Sequence, residues 1–326
     1  MRNPSFTIDT PLAGPAVGLS GFAADLLAGL SRRPRSISPK YFYDVAGSAL
    51  FDRICELPEY YPTRTELRIL TDRAGEIAHH IGPGAEIVEF GAGSLTKVRL
   101  LIDALHAPQR YLPIDISGEH LEGAAARLRA DCPGLVVQPI VADYTQPFAL
   151  PAVAAGGRRV GFFPGSTLGN FNPDEALAFL QSAARMLEGG GLLIGVDLIK
   201  DPALLHAAYN DAQGVTAAFN LNLLQRANAE LDADFVADRF MHAAFYNAPL
   251  QRVEMHLVSR RAQAVHVQGQ RFMFAEGETI HTENSHKFSI DGLRTLAVKA
   301  GFGIGPVWTD PERLFSVHWL PVTAAQ

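Results

Sequence analysis

The chain has 326 residues, 48% of them hydrophobic and 19% charged, with a formal net charge of −6. That length suffices for one large domain or two modest ones with buried cores, and the acidic balance leaves no electrostatic footprint for nucleic acid. No apolar run approaches a membrane span, and Cys55 and Cys132, far apart in the chain, read as buried free thiols of a reducing, cytoplasmic setting rather than a disulfide or metal pair.

The first periodic segment is an amphipathic helix around Phe22 to Leu30. Asp25 interrupts the mild apolarity of Ala13 to Leu30, and neither a charged leader nor a cleavage site frames it, so a secretory signal is not expected. Arg32, Arg33 and Arg35 read as the solvated start of a loop. In residues 39–52 three aromatics precede Asp44 and a glycine, and Leu50, Phe51, Ile54 and Leu57 then make a short helix stopped by Pro58. Thr63 is placed to cap one long helix through Thr65 to His80. The adjacent Tyr60 and Tyr61 either pack beneath that helix or offer neutral donors to a carboxylate.

Glu86 to Lys97, E-I-V-E-F-G-A-G-S-L-T-K, has the form of a buried parallel strand that empties through a glycine turn into a helix. Val98, Leu101, Ile102 and Leu105 lie on one stripe of that helix and pack back on the sheet. A lone Gly-x-Gly fits a nucleotide-type ligand or an empty tight turn equally well. The carboxylates downstream favour the ligand. A second strand, Arg110 to Ile114, ends in Asp115, where a doubly wound sheet places the group that accepts from ribose hydroxyls. A third, Leu135 to Ala142, ends in Asp143-Tyr144, suited to an adenine base. With Glu89 closing the first strand and no third glycine at the dinucleotide spacing, S-adenosylmethionine is favoured over a nicotinamide cofactor.

A fourth strand, Arg158 to Phe163, runs into Pro164-Gly165-Ser166-Thr167-Leu168-Gly169-Asn170-Phe171, a loop expected over the ligand crevice. Asn170 serves there as a ligand contact or as an ordinary turn residue. Pro173 opens a helix that Gly189-Gly190-Gly191 stops, and Leu192 to Ile199 is a fifth strand. From Lys200 the alternation breaks. Two helices precede an antiparallel set at Arg252 to Arg260, Ala264 to Val267, Arg271 to Phe274 and Thr279 to Glu283. Within His281-Thr282-Glu283-Asn284-Ser285-His286-Lys287 a regular strand puts His281, Glu283 and Ser285 on one face and His286 on the other. The cluster fits a metal site, a satisfied structural group or a polar recognition patch, and a metal is the least favoured because the two histidines diverge. Ser289 caps a last helix, and Leu314 to Leu320 is a last strand.

Together E-F-G-A-G-S-L-T-K, Y-L-P-I-D-I-S, F-F-P-G-S-T-L-G-N-F, L-P-E-Y-Y-P-T-R, A-Y-N-D-A-x-G-V-T-A-A-F-N-L-N-L-L and H-T-E-N-S-H-K resemble the S-adenosylmethionine-dependent histidine Nα-methyltransferases of ergothioneine biosynthesis, from about Ser36 to Leu320. The resemblance implies an α/β fold, a Rossmann-like class I methyltransferase sheet of seven strands with an inserted α+β substrate-binding domain. The cofactor domain would be 61–199 plus 287–326, and the substrate domain 15–60 plus 200–286. Cofactor contacts would come from Tyr43, Gly91, Lys97, Asp115, Asp143 and Tyr144. Tyr60, Asn170 and Tyr209 would hold the α-amino acid head beside the reacting nitrogen, Glu283 and Ser285 the imidazole, and Met255 would line that pocket. The implied reaction is threefold methylation of L-histidine to hercynine without a metal, and a monomer is the default expectation. Methylation of another aromatic amino acid, or non-catalytic cofactor binding, are the rival readings.

Overall fold

The computed structural model describes residues 19–93, 95–153 and 157–323. Residues 15–18 of the expected substrate domain lie outside them. The chain opens with α1 (Leu19–Ser31), β1 (Arg35–Ser36), α2 (Val45–Glu56), α3 (Tyr61–Asp72) and α4 (Ala74–Ile81). An alternating run follows: β2 (Ala85–Phe90), α5 (Thr96–Ala104), β3 (Arg110–Asp115), α6 (Gly118–Asp131), β4 (Val136–Val137), β5 (Ile140–Val141), β6 (Arg158–Phe163), α7 (Pro173–Met186) and β7 (Gly191–Asp197). Then come α8 (Pro202–Tyr209), α9 (Val215–Leu231), β8 (Phe240–Asn247), β9 (Arg252–Ser259), β10 (Gln263–Val267), β11 (Gln270–Phe274) and β12 (Thr279–His286). The described chain closes with α10 (Ile290–Lys299), β13 (Val307–Thr309) and β14 (Phe315–Pro321).

The larger sheet has the order β13-β14-β7-β6-β2-β3-β4, with β5 also paired to β3. Strands β2, β3, β6 and β7 run parallel, and β14 lies antiparallel to β7. Every residue of β2 and β7 is buried, because helices cover both faces. Alternate side chains feed two cores: Ile87 and Leu193 join Ile69, Ile77 and Leu101 on one face, while Val88 and Ile194 join Phe179, Leu180 and Leu293 on the other. After β2 the chain goes to β3 on one side and later to β6 on the other, so the crevice opens at the carboxyl ends of β2 and β6.

A second sheet has the order β1-β12-β9-β8, and β10-β11 is a separate two-stranded hairpin rather than part of it. Strand β1 joins parallel to β12, so the N-terminal segment and the region after β7 share one sheet. Their common core takes Phe22, Leu26 and Leu30 of α1, Phe219 and Leu223 of α9, and Met255 and Leu257 of β9. Arg35 is not solvated as its neighbours suggested. It is 2% exposed, bonded to Glu278 at 2.7 Å, to the Met273 carbonyl at 2.7 Å and to the Leu30 carbonyl, with its guanidinium 4.4 Å from the Phe274 ring centre.

Other departures have local causes. The expected long helix is two, because Arg73 leaves helical geometry and Gly75 weakens the continuation; Ile69, Leu70, Ile77 and Ile81 all reach the sheet across that turn. The cap position falls on Tyr60, and Thr63 lies inside α3. The third strand splits into β4 and β5 around Pro139, which has no N–H for the ladder. Strands β8 and β13 escaped the sequence reading. Both cysteines are free and half-buried.

Helix α3 also places a buried carboxylate behind two residues that line the crevice, Lys97 and Gly165. Glu66, 1% exposed, accepts from Gly165 N at 2.9 Å and pairs with Lys97 at 2.6 Å. It fits because β7 has glycine opposite: a Cβ on Gly195 would stand 1.9 Å from Glu66 Oε1. Gly195→Ala is therefore expected to destabilise the fold by about 1–3 kcal/mol in urea unfolding, the usual cost of overpacking.

Candidate active site

The first wall of the crevice is the turn after β2. Gly91, at φ +74, and Ala92 both donate backbone N–H groups to the Ile114 carbonyl, at 2.9 and 3.0 Å, which locks the turn against the end of β3. Asp115 ends that strand and accepts from Ser117 N at 2.9 Å. Asp143 accepts from Thr145 N at 2.9 Å and stands 3.5 Å from Lys40. The Tyr144 ring packs edge-on against Phe90, Phe163 and Phe179 and lies 3.5 Å from where a Cβ on Gly91 would be. Lys97 reaches the crevice from the first turn of α5, tethered to Glu66. Glu89, which closes the first strand as the sequence suggested, accepts from the Tyr111 hydroxyl and is pushed up to about 8 by burial against the opposing pull of Tyr111 and Lys97.

The second wall comes from the loop after β6 and from β12. Asn170 ends a 3-10 turn, Thr167–Asn170, that lies on β12 because residue 169 is glycine; a Cβ there would meet the His286 carbonyl oxygen at 2.7 Å. Tyr60 precedes α3, its ring 6.5 Å from that of Tyr209 at the end of α8, and Tyr43 packs edge-on against Phe51 and Phe219. Burial raises all three hydroxyls above the ordinary tyrosine value, so they remain protonated donors.

Strand β12 does not keep the regular alternation. His281 pairs with His256, but Glu283 rather than Thr282 pairs with Met255, so one extra residue forms a bulge. His281 therefore does not share a face with Glu283. It stacks on His256 on the outer face, 4.7 Å between ring centres, while Glu283 and Ser285 turn inward beside Met255. In the outer cluster Glu254 is already held by Arg252 at 2.8 Å, Asn247 at 2.9 Å and His256 at 3.1 Å, and His281 Nε2 lies 3.0 Å from the Glu283 carbonyl. Arg252 places a cation beside Glu254 in that cluster. Burial pushes Glu283 up to about 7, opposed by Lys287.

Beneath these residues is a buried charge network with no signal in sequence periodicity. Asp197, the last residue of β7, accepts from the Tyr61 hydroxyl at 2.8 Å, pairs with Lys287 at 2.9 Å and contacts Lys200. So Tyr61 does find a carboxylate, the protein's own. Burial lowers Lys200 to about 8, partly offset by Asp197.

Every residue singled out from the sequence for cofactor or substrate borders one cavity of about 1720 Å³. Pockets for a single drug-sized ligand run roughly 300–1,000 Å³, so this one has room for two molecules end to end. The glycine turn and the carboxylates after the second and third strands suit an adenosine ligand: the turn allows close backbone approach, and both acids accept hydrogen bonds. Sheet order, turn and acids define an α/β protein with the Rossmann-like sheet of the class I S-adenosylmethionine-dependent methyltransferases. Residues 22–322 match the family described as "Histidine-specific methyltransferase, SAM-dependent", and the chain belongs to that family. It is 42% identical over 299 residues to the histidine N-alpha-methyltransferase of Mycolicibacterium smegmatis, covering 90% of this chain and 92% of that one. Against the protein of the same name from Mycobacterium tuberculosis the identity is 38% over 303 residues, covering 91% and 94%. The ergothioneine biosynthesis protein 1 of Neurospora crassa is 37% identical over 203 residues, 60% of this chain and 23% of that protein.

Glu283 binds its proton more tightly in the fold than in the unfolded chain. Unfolding thus releases a proton between its ordinary value of 4.5 and about 7, and the group's contribution to stability falls as pH rises through that window. Glu283→Gln removes the penalty, so its melting temperature relative to the parent protein is expected to be higher at pH 8 than at pH 5 in paired thermal scans.

Proposed function

We propose that the protein transfers methyl groups from S-adenosylmethionine to the α-nitrogen of L-histidine, three times, forming hercynine. The observation that carries the assignment to this chain's own residues is the inner face of β12. Buried Glu283 and Ser285 stand beside Met255, facing the loop that bears Asn170. Glu283 accepts from one imidazole nitrogen and Ser285 donates to the other. An apolar side chain in that place leaves the buried acceptor unpaired, which selects strongly against it.

The residues around the amino acid head are neutral. Tyr60 and Tyr209, kept protonated by burial, donate to the carboxylate, and the Asn170 side chain fixes the α-nitrogen. The co-substrate's sulfonium supplies an already activated methyl group. The α-ammonium of histidine loses a proton before the first attack; in each round the S–CH3 bond breaks as the N–CH3 bond forms, the first two rounds each release a further proton so that the nitrogen is neutral for the next attack, and the last leaves a trimethylammonium. Asn170 is not a base, and in this reading water carries the proton. The protein's contribution is orientation of two bound molecules.

The proposal includes action as a monomer in the cytoplasm, with no metal and no nucleic-acid partner. Among the described residues no helix is long and apolar enough to cross a membrane.

Mass spectrometry of the protein incubated with S-adenosylmethionine and equimolar histidine, tryptophan, tyrosine and phenylalanine tests the reading. Trimethylated histidine alone is expected; methylation of another amino acid would overturn the pocket assignment, and no methylation despite cofactor binding would favour a binding role. Asn170→Ala is expected to lower kcat/KM for histidine about tenfold or more, a loss of about 1.4 kcal/mol in transition-state binding. An unchanged value would remove Asn170 from the amine.

A further inference from the structure

Lys287 borders the cavity, is 3% exposed and follows directly on β12. Its ammonium has three protons and three partners. It donates to Ser285 Oγ at 2.8 Å, to the Tyr209 hydroxyl oxygen at 3.1 Å and to Asp197 Oδ2 at 2.9 Å. Nothing remains for a substrate, so Lys287 does not bind one directly. Ser285 and Tyr209 are themselves 2.7 Å apart.

A lysine only donates, and this fixes what its two hydroxyl partners can do. Each hydroxyl oxygen spends a lone pair on Lys287 and keeps one hydrogen. Tyr209 donates its hydrogen to Ser285 Oγ, which then has both lone pairs engaged. With a ligand in place, both hydrogens are free to turn toward it. Resting on the functional reading above, we infer that Lys287 is a positioning residue that commits Tyr209 and Ser285 to the donor role, toward a carboxylate and an unprotonated ring nitrogen respectively. The same ammonium is anchored by Asp197 on the larger sheet, so the two donors are set relative to the loop that carries Asn170; Asp197 N donates to Ser166 Oγ of that loop at 2.9 Å.

The ligand chemistry follows. The pocket recognises a ring with one N–H, offered to Glu283, and one bare nitrogen, offered to Ser285: a neutral imidazole in one tautomer. A hydroxyl pair without Lys287 is free to rotate and to accept, and that selection weakens.

The test is a double-mutant cycle on histidine methylation with Lys287→Met, Ser285→Ala and the double variant, each fitted for KM and kcat against histidine and against S-adenosylmethionine. Lys287→Met is expected to raise the histidine KM at least tenfold while changing the S-adenosylmethionine KM less than twofold. The double variant should have a histidine KM no higher than about that of the worse single variant, because the lysine acts through the serine. Equal rises for both substrates, multiplicative effects in the double variant, or an unchanged histidine KM would each overturn the inference. Lys287→Gln, whose amide oxygen can accept from the two hydroxyls and so releases them from the donor role, replaces the methionine variant if that one does not fold, with the same criteria. Should the parent protein fail to methylate histidine in this assay, the functional reading falls; if the parent is active and the variants match it, the inference alone falls.

Discussion

The ion pair between Asp197 and Lys287 joins the two halves of the molecule at the floor of the cavity. One partner ends β7 of the larger sheet, the other follows β12 of the smaller one, and both side chains are about 1% exposed. Burial alone drives the Asp197 carboxyl up, yet Lys287, Lys200 and their hydrogen bonds bring it below the ordinary value. Removing one member of such a pair typically costs about 3–5 kcal/mol, whereas a well-packed apolar pair of similar volume is often as stable. Stability therefore gives little reason for charge at this point. Orientation does: the network reaches Tyr61, Tyr209, Ser285 and, through the Asp197 backbone, Ser166.

The charge pattern also fits the chemistry proposed. Methyl transfer moves positive charge from sulfur to nitrogen over a short distance and creates none. A cation aimed at the α-nitrogen would oppose the ammonium that develops there. Lys287 is turned away with all three protons spent, Lys97 is tied to Glu66, and the groups assigned to the amino acid head are neutral donors. Acids cluster instead beside the glycine turn, where Asp115 and Asp143 border the cavity. A cationic co-substrate is favoured by that wall before any specific contact is made.

The glycine-turn side of the cavity was legible in sequence because its signals are local. A buried strand, a glycine turn and acids at the ends of successive strands sit within short windows, and Gly91, Asp115, Asp143 and Tyr144 came together as expected. Asn170 was placed by the position of its loop after the fourth strand. What escaped depends on pairing across long stretches of chain. Arg35 looked like one more residue of a basic loop, and only its partners Glu278 and Met273, more than two hundred residues away, make it a core group. Lys287 was the last letter of a motif without a role, since a lysine's burial shows in no periodicity. Pro139 was visible in the sequence, but its effect on the third strand was not weighed.

The bulge in β12 shows how a register that no local pattern reports decides the site. Had the strand stayed regular, Thr282 would face Met255, Asn284 would follow inward, and Glu283 and Ser285 would point to the outer face with the parity reversed. One inserted residue lets Ile280 pack in the core and still brings Glu283, Ser285 and then Lys287 to the cavity side. The extra residue is held in place. Thr282 donates to Asn220 Oδ1 at 2.8 Å and lies 3.1 Å from the Met255 carbonyl, and Asn220 of α9 donates in turn to the His256 carbonyl at 3.0 Å. A buried asparagine on the helix behind the sheet thus holds the offset, and with it the side of the sheet on which Glu283, Ser285 and Lys287 border the cavity.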